Sequence, residues 1–324
     1  MALFGIRLDL RNPAFAGVDG ADRYAAALDM AAWADEQGVL FVNLSEHHGS
    51  PDGYLPSPLP MAAAIAARTK SIAIYVAAMV ASFHDPLRVA EDAAIVDLVA
   101  RGRMRLVIAN GYVAEEFAMF DVPLSERAHR TTEMVTTLQQ AWSGEPFEFR
   151  GRTVQVTPVP FTPGGPELVL GGSSDAAARR AARLGVGYQP SGGETWDTFR
   201  DECVALGRPD PGDHLGGTPA VTVVAADPDA TWAAIAPYAL HEANAYGAWA
   251  TAAGVATGYS SAADADQLRA SGQYHVVTPD ALVADLTAKG PFAFVLLHPM
   301  LGGIPPALAW ESLHLIEHEV LPRL

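Results

Sequence analysis

Short apolar runs alternate with longer helical stretches along this 324-residue chain, and the alternation restricts the possible folds more than any other feature. The runs are nearly continuous in Val, Ile, Leu and Ala, which is typical of parallel strands covered on both faces. The predicted strands are 3–9, 39–44, 72–79, 104–110, 167–171, 186–189, 220–226 and 292–298. The predicted helices are 20–37, 57–68, 86–101, 123–142, 174–184, 194–206, 229–250 and 306–320. Eight strands alternating with eight helices predict an α/β fold of the (β/α)8 barrel type, as one domain over residues 1–324.

A doubly wound parallel sheet is the competing architecture. It usually has a Gly-rich turn after its first strand, and no such turn follows residues 3–9. Two stretches interrupt the alternation. Residues 144–164 are rich in Pro, Gly and β-forming residues and predict an inserted hairpin. Residues 251–277 are small, polar and aromatic and predict a lid-like excursion over the barrel mouth, with a plain surface excursion as the alternative.

Composition excludes several classes of partner. The formal net charge is −16 and the pI about 4.9, so the chain lacks the basic surface that nucleic acids and anionic membranes attract. No apolar segment reaches the roughly 18 residues of a membrane span, and the first residues read directly as a strand, without a basic leader. The single cysteine, Cys203, excludes an internal disulfide framework and a Cys-based zinc site. We therefore expect a cytoplasmic protein.

A charged, imidazole-rich cluster, Glu46-His47-His48, follows the second predicted strand directly. In a parallel barrel the carboxyl ends of the strands are where the chemistry is found. Histidine exchanges protons near neutral pH, so His47 and His48 are the candidate catalytic residues. An ordinary loop cap with one solvated imidazole is the alternative. Consecutive side chains rarely point at one ion, so no metal site is predicted.

The third and fourth strands end in groups that suit a flat, polar-edged ring. Ala77 and Ala78 leave space at the end of the third strand, although a tightly packed strand end would have the same composition. Asn110 presents an amide that both donates and accepts hydrogen bonds, and Tyr112 follows it. A turn-forming Asn-Gly pair without another role is equally compatible with Asn110.

The fifth strand leads into a possible phosphate site. Gly171 and Gly172 allow close approach of the backbone, and Ser173 and Ser174 add hydroxyl donors at the start of a helix, where free amides bind anions. Either serine could instead be an ordinary N-cap. Gln189 and Ser191, at the end of the sixth strand, add polar groups to the same rim.

Taken in order, these segments resemble the bacterial luciferase-like monooxygenase superfamily. The resemblance runs through most of the chain, and the order of the motifs is specific although each one alone is weak. Besides Glu46-His47-His48, Asn110-Gly111-Tyr112 and the Gly171–Ser174 turn, the matching segments are Ser57-Pro58-Leu59, His84-Asp85-Pro86, Arg101-Gly102-Arg103, Trp142 and the final Glu319-Val320-Leu321-Pro322.

The resemblance implies a (β/α)8 barrel that binds flavin mononucleotide (FMN) or a deazaflavin at its carboxyl-terminal mouth. It implies that the Ala77–Ala78 peptide is a non-proline cis bond behind the flavin ring. It also implies that His47 is the active-site histidine and that Gly172, Ser173 and Ser174 form the phosphate-binding turn. The full candidate cofactor-binding set is Glu46, Ala77, Ala78, Asn110, Tyr112, Gly171, Gly172, Ser173, Ser174, Gln189 and Ser191.

One departure leaves the cofactor open. Where luciferases place an arginine for the flavin phosphate, this chain has Asn110. The leading hypothesis is a monooxygenase that uses reduced FMN, supplied by a separate flavin reductase, and molecular oxygen on a small organic substrate. The alternatives are a hydride-transfer oxidoreductase that uses the deazaflavin coenzyme F420 and a non-catalytic flavin-binding barrel. Dimerisation is typical of the resembled family, so a homodimer is expected.

Overall fold

The computed structural model describes residues 2–191, 193–214, 220–255, 259–290 and 292–324. The strands are β1 (Leu3–Leu8), β2 (Phe41–Leu44), β3 (Ala73–Val80), β4 (Met104–Ala109), β5 (Phe147–Phe149), β6 (Arg152–Val154), β7 (Glu167–Gly172), β8 (Gly187–Pro190), β9 (Val221–Val224), β10 (Tyr274–Val277) and β11 (Phe294–Leu297). The helices are α1 (Gly20–Glu36), α2 (Pro58–Arg68), α3 (Pro86–Ala100), α4 (Ala114–Met119), α5 (Arg127–Ala141), α6 (Asp175–Leu184), α7 (Trp196–Ala205), α8 (Pro228–Ala253), α9 (Ala265–Ala270), α10 (Pro279–Lys289) and α11 (Pro306–Leu315).

Nine strands form one parallel sheet in the order β10-β9-β11-β1-β2-β3-β4-β7-β8. Helices connect them, as the crossover between parallel strands requires. The order returns β11 to the side of β1, the wrap-around expected of a (β/α)8 fold. Within the described residues no ladder joins β8 to β10, the two strands at the ends of this order. The predicted α/β class is confirmed.

The described part of residues 251–277 differs from a simple lid-like excursion. Helix α8 continues to Ala253, α9 spans Ala265–Ala270, and β10 pairs with β9 as a ninth strand of the sheet. Residues 256–258 lie outside the described part of the chain. The prediction missed β10 because a run of four residues, Tyr274-His275-Val276-Val277, is too short to show a period.

The predicted insertion at 144–164 contains a hairpin. Strands β5 and β6 pair antiparallel, with Phe147 opposite Val154. The two residues of its turn, Arg150 and Gly151, have φ of 49° and 73°. Positive φ at both turn positions is the requirement of a type I′ hairpin.

Among the described helices, none combines the length and the apolar character that a membrane span needs.

An aromatic layer closes the amino-terminal end of the sheet. Phe41 stacks on Tyr75, with ring centroids 4.6 Å apart, and on Phe294 at 5.8 Å, while Arg105 lies over the Tyr75 ring at 4.7 Å. The ring of Phe41 passes over Gly5 of β1, where an added Cβ would lie 2.6 Å from the ring. The absent side chain at Gly5 therefore makes room for the stack.

A side chain at Gly5 should destabilise the fold. We expect Gly5→Val to lower the free energy of unfolding by about 1–3 kcal/mol, because Phe41 is held between two other rings and overpacking costs that much in well-packed cores. Urea denaturation measures the effect. Gly20→Ala is the matched control, since nothing lies within 4 Å of a Cβ there. Equal stability of Gly5→Val and the wild type would contradict the assigned packing.

Candidate functional site

The predicted site residues lie at the carboxyl ends of five neighbouring strands. β2, β3, β4, β7 and β8 pair in that order, and every pairing is parallel, so their carboxyl ends share one edge. That edge, or the loop just beyond it, holds Glu46, His47, His48, Ala77, Ala78, Asn110, Tyr112, Gly171, Gly172, Ser173, Ser174, Gln189 and Ser191. This is the edge at which parallel barrels carry their active sites.

The His47 imidazole sits in a box of aromatic rings and is only 8% exposed. It stacks on Trp249 at a centroid distance of 4.4 Å and meets Tyr54 and Tyr246 edge-on at 4.8 and 5.6 Å. Its Nδ1 donates to Glu116 Oε1 at 2.8 Å. A carboxylate on Nδ1 fixes the tautomer and the ring orientation and leaves Nε2 as the nitrogen for proton exchange.

Glu116 is a functional candidate that the sequence reasoning missed. It lies on α4, is 2% exposed, and also accepts a hydrogen bond from the backbone amide of His48 at 2.9 Å. One carboxylate therefore holds both the ring of His47 and the loop that carries it. The only local signal was an acidic pair, Glu115-Glu116, in the first turn of a short helix, which is ordinary at that position.

His48 belongs to a second network. Its Nε2 and that of His84 both donate to Glu46 Oε1, at 2.6 and 2.7 Å, while Glu46 Oε2 accepts the backbone amide of Val80 at 3.0 Å. The His48 ring packs edge-on against Phe83 and Phe120. The carboxylate of Glu46 is thus fully engaged with protein donors. The ring of His48 is therefore held by Glu46, and the ring of His47 is held separately by Glu116.

The Glu46, His48 and His84 atoms are of the types that bind metal ions and lie near one another. Distances of 2.6 and 2.7 Å from one oxygen to two nitrogens match hydrogen bonds. Ligand atoms around a tetrahedral zinc, each about 2.1 Å from the ion, would lie roughly 3.4 Å apart. The distances among Glu46, His48 and His84 therefore fit hydrogen bonds and not coordination of a metal ion.

The network shifts the acidity of two of its members. Burial lowers the pKa of His84, but the hydrogen bond and charge of Glu46 raise it more, so the pKa lies above 6.5. Burial raises the pKa of Glu46, but the hydrogen bonds and charges of His48 and His84 outweigh it, so the pKa lies below 4.5. Each partner thus favours the charged form of the other.

Glu46→Gln should lower the pKa of His84, because the amide keeps a hydrogen-bond acceptor but removes the charge. The raised pKa of His84 contributes stability that is present below pH 6.5 and is lost as the pH rises through the folded value. The depressed pKa of Glu46 contributes stability that is present above pH 4.5 and is lost on acidification. The difference in Tm between the wild type and Glu46→Gln should therefore be largest between pH 4.5 and pH 6.5. NMR titration of the imidazoles checks the shift, and an unchanged His84 titration would contradict it.

The wall at the end of β3 matches the expectation of a small, open surface. The Ala77–Ala78 peptide is cis, as the resemblance implies, and Ser45 Oγ donates to the Ala77 carbonyl at 3.0 Å. The pairing of β3 with β4 shifts register between Ala77 and Met79. On the neighbouring strand, just after β4, the side-chain oxygen Oδ1 of Asn110 is buried and has no hydrogen-bond partner among the described residues. An orphaned acceptor beside a wall of small residues fits a ligand that presents an N–H edge.

Tyr112 lies close to His47, at a ring distance of 6.3 Å. Burial, with Glu116 and Tyr54 nearby, raises the pKa of Tyr112 to about 12, against the opposing effect of Arg11 and Arg7. The phenol is therefore protonated at neutral pH. It can donate a hydrogen bond to a ligand at the rim.

The turn after β7 has the shape expected of an anion cradle. Ser174 caps α6 by accepting the Ala177 amide, and Ser173 and Ser174 are exposed. A Cβ on Gly172 would lie 2.5 Å from that of Ala177, so only glycine lets this backbone run close to the helix start. The Ser191 amide donates to the Gly172 carbonyl at 2.9 Å, and Gln189 and Ser191 are exposed beside it. Together with the Ala77–Ala78 wall and Asn110, this turn fits a flavin nucleotide.

A buried polar cluster that the sequence reasoning missed lies on the other side of His47. It joins the end of β1 to the loop after β2, to α8 and to the end of β11. Its ionisable members are Arg7, Asp9, Arg11, Asp52, Glu242 and His298, all under 9% exposed. Three charged residues in Arg7-Leu8-Asp9-Leu10-Arg11, within and after an apolar strand, were the available signal.

Comparison with known proteins gives a consistent family. The family model described as luciferase-like monooxygenase matches residues 3–291. The crystal structure of the monooxygenase RslO1 from Streptomyces bottropensis superposes with a TM-score of 0.75 at 25% identity, covering 99% of each chain.

Two curated relatives differ in chemistry. The chain is 27% identical to an F420-dependent glucose-6-phosphate dehydrogenase of Microbacterium testaceum, over 55% of each sequence. It is 28% identical to the oxygenase component of a flavin-dependent trigonelline monooxygenase of Acinetobacter baylyi, over 40% of this chain and 36% of the relative. The chain spans about half the length, or less, of the curated relatives it matches.

Proposed function

The chain belongs to the luciferase-like monooxygenase family, and we propose that it is the oxygenase component of a two-component system, using reduced FMN and molecular oxygen on a small organic substrate. The observation that carries the proposal is the placement of His47. Its ring is fixed by Glu116, boxed by aromatic rings and set at the same sheet edge as the Ala77–Ala78 wall. The reduced flavin, once bound, supplies the electrons for oxygen activation.

The protein's own groups bind, orient and exclude water. The Ala77–Ala78 wall receives the flat ring, Asn110 Oδ1 accepts a hydrogen bond from the ring edge, and the Gly171–Ser174 turn holds the phosphate. With the flavin bound, His47 Nε2 would be the atom that gives or takes a proton at the substrate. Trp249, Tyr54 and Tyr246 keep water from this nitrogen, which strengthens every polar interaction there.

A flavin reductase is proposed as the transient partner that delivers the reduced cofactor. The Acinetobacter baylyi relative is an oxygenase component, which supports a separate reductase for this chain.

We also propose a homodimer. Helix α3 exposes Ile95, Leu98 and Val99, three large apolar side chains within two turns, on a chain with strong net negative charge.

The second candidate function is hydride transfer with the deazaflavin coenzyme F420. It is supported by the similarity to an F420-dependent glucose-6-phosphate dehydrogenase. The same histidine and the same wall would serve both cofactors.

One titration distinguishes the candidates. The protein is titrated with FMN and with F420, and the spectra give both affinities. Reduced FMN is then mixed with oxygen with and without the protein. A preference for FMN, with a changed rate of flavin reoxidation in the presence of protein, supports the oxygenase. Tight binding of F420 with weak binding of FMN supports the dehydrogenase. Tight binding of either cofactor without turnover would favour a non-catalytic flavin-binding barrel.

A further inference from the structure

A cavity of about 360 Å³ lies between strands β9 and β11 and the helices α8 and α11, and we call it the α8–α11 cavity. None of the candidate cofactor-binding residues lines it. Its volume falls in the range of roughly 300–1,000 Å³ that is typical of small-molecule sites. Its walls are mainly apolar, with the side chains of Val224, Ile235, Leu297, Leu308 and Leu313 among them. The proposed function makes no use of this cavity.

The α8–α11 cavity lies where β9 and β11 stop pairing. Their ladder ends at the pair Thr222–Leu297. Beyond that pair, the backbone amide of Val224 donates to Ser312 Oγ of α11 at 2.8 Å, so a helix side chain and not the neighbouring strand satisfies this group. The two strands therefore diverge at their carboxyl ends, and α11 bounds the space that opens between them.

The position of the cavity is one that many parallel barrels use for phosphate, at the loops after the last two strands and beside a helix start. Here those loops follow β9 and β11, the two strands next to β1 in the sheet order. The first amides of α8 are already engaged, because the Asp227 carboxylate accepts those of Asp229 and Ala230, both at 3.1 Å. Asp227 also lines the cavity. A carboxylate thus occupies the amides that would hold a phosphate, which disfavours an anionic ligand.

The opening of the cavity is acidic. Asp227, Glu311 and Glu319 line it, are exposed, and form no ion pair with the described residues. His314 and His318 lie at the same opening, and none of the described lining residues is a lysine or an arginine. A positively charged ligand group would meet three carboxyl groups there, on a chain whose formal net charge is −16.

The inner end of the cavity reaches His298, which is 1% exposed. Neither ring nitrogen makes a hydrogen bond with a described residue. Asp9 Oδ2 lies 3.3 Å from Nε2, and Glu242 Oε2 lies 3.6 Å from Nδ1. Two carboxyl groups behind the imidazole disfavour an anion at this end as well, because like charges in a buried region are costly.

We propose that the α8–α11 cavity binds a small hydrophobic amine, at a site separate from the flavin. The apolar body of the ligand packs against the walls formed by β9, β11 and α11. Its ammonium group stays at the opening among Asp227, Glu311 and Glu319, where water still hydrates it, because moving the charge into apolar surroundings would be costly. The proposal goes beyond the proposed function and does not depend on which flavin the protein uses.

The test is calorimetry with four probes that share a phenyl ring: phenethylamine, phenethyl alcohol, phenylacetate and ethylbenzene. We expect phenethylamine to bind with a Kd below about 1 mM and about tenfold more tightly than the other three, because several partly hydrated charge pairs act on its ammonium alone. The titration is repeated with FMN present. The affinity for phenethylamine should then change by less than about twofold, since sites without shared contacts act additively.

Filling the cavity tests the location of the site. Leu308→Trp should abolish the binding of both phenethylamine and phenethyl alcohol, because the larger side chain enters the cavity from α11. Ala307→Trp is the matched control, since Ala307 is exposed on the same helix and does not line the cavity. Thr231→Trp fills the cavity from α8 and replaces Leu308→Trp if that variant does not fold.

Removing charge tests the recognition of the ammonium group. Glu311→Gln combined with Glu319→Gln should reduce the preference for phenethylamine over phenethyl alcohol to within about threefold. Glu145→Gln combined with Glu148→Gln removes the same formal charge from exposed positions of the inserted hairpin segment and should leave the preference unchanged. The comparison separates contacts at the opening from the general effect of the net charge.

The inference is overturned if phenethylamine does not bind at about 1 mM, the affinity expected of so small a ligand. It is also overturned if phenethyl alcohol, phenylacetate or ethylbenzene binds as tightly, or if FMN displaces the amine. Wild-type affinity in the folded Trp variants at Leu308 and Thr231 would place the amine elsewhere and overturn it too. So would an unchanged preference in the paired Gln variant of Glu311 and Glu319.

Discussion

His47→Ala should lower turnover by about 10²–10⁴-fold while leaving flavin affinity within a few-fold, the loss typical of a general acid–base group. The reason is the geometry of the ring. Glu116 fixes Nδ1 and the aromatic box fixes the plane, so Nε2 is the only ring nitrogen left for proton exchange. Anaerobic flavin titration beside steady-state turnover measures both quantities on one preparation.

Two variants serve as controls for this prediction. His48→Ala should be milder, because the His48 ring donates to Glu46 and lies against Phe83 and Phe120. Glu116→Gln keeps an acceptor for Nδ1 but removes the charge, so we expect a roughly tenfold loss and a displaced pH profile. If His47→Ala retains full activity, or loses it only through weaker flavin binding, the assignment is wrong. His48 or His298 would then be the candidate.

Ala78→Leu should abolish flavin binding, weakening it by about 100-fold or more, while the fold survives. Ala77 and Ala78 are partly exposed at the end of β3, so the larger side chain fills the space of the ring and not the core. Absorbance titration with FMN measures the affinity, and thermal unfolding measures the fold.

Ala67→Leu is the matched control for this substitution. Ala67 is exposed on α2, away from the sheet edge, so the same change of side chain should leave flavin affinity unaltered. A well-folded Ala78→Leu variant with wild-type affinity would place the ring elsewhere. In that case the position of the Gly171–Ser174 turn would not show where the flavin binds.

Much of the fold could be predicted because its signals are local. Continuous apolar runs identify buried parallel strands, and the turn residues around 147–154 identify the hairpin. Strand β10 was missed because four residues are too few to show the alternation of apolar and polar residues that identifies a strand. In a polar stretch, a half-buried run of this length has the composition of a loop. The pairing of β10 with β9 depends on α8 and α9 returning the chain to the sheet, which no local pattern encodes.

For the site, the sequence by itself determined what lies at each strand end: the Glu46-His47-His48 cluster, the Ala77–Ala78 wall and the Gly171–Ser174 turn. Strand ends can be located from the pattern, and parallel pairing brings them to one edge. Only the tertiary structure decided which groups act on them. Glu116 reaches His47 across 69 positions, and Arg7 reaches Tyr246 across 239. Such pairs form where α4 and α8 fold over the sheet edge, so they depend on how distant elements pack, which the local sequence does not encode.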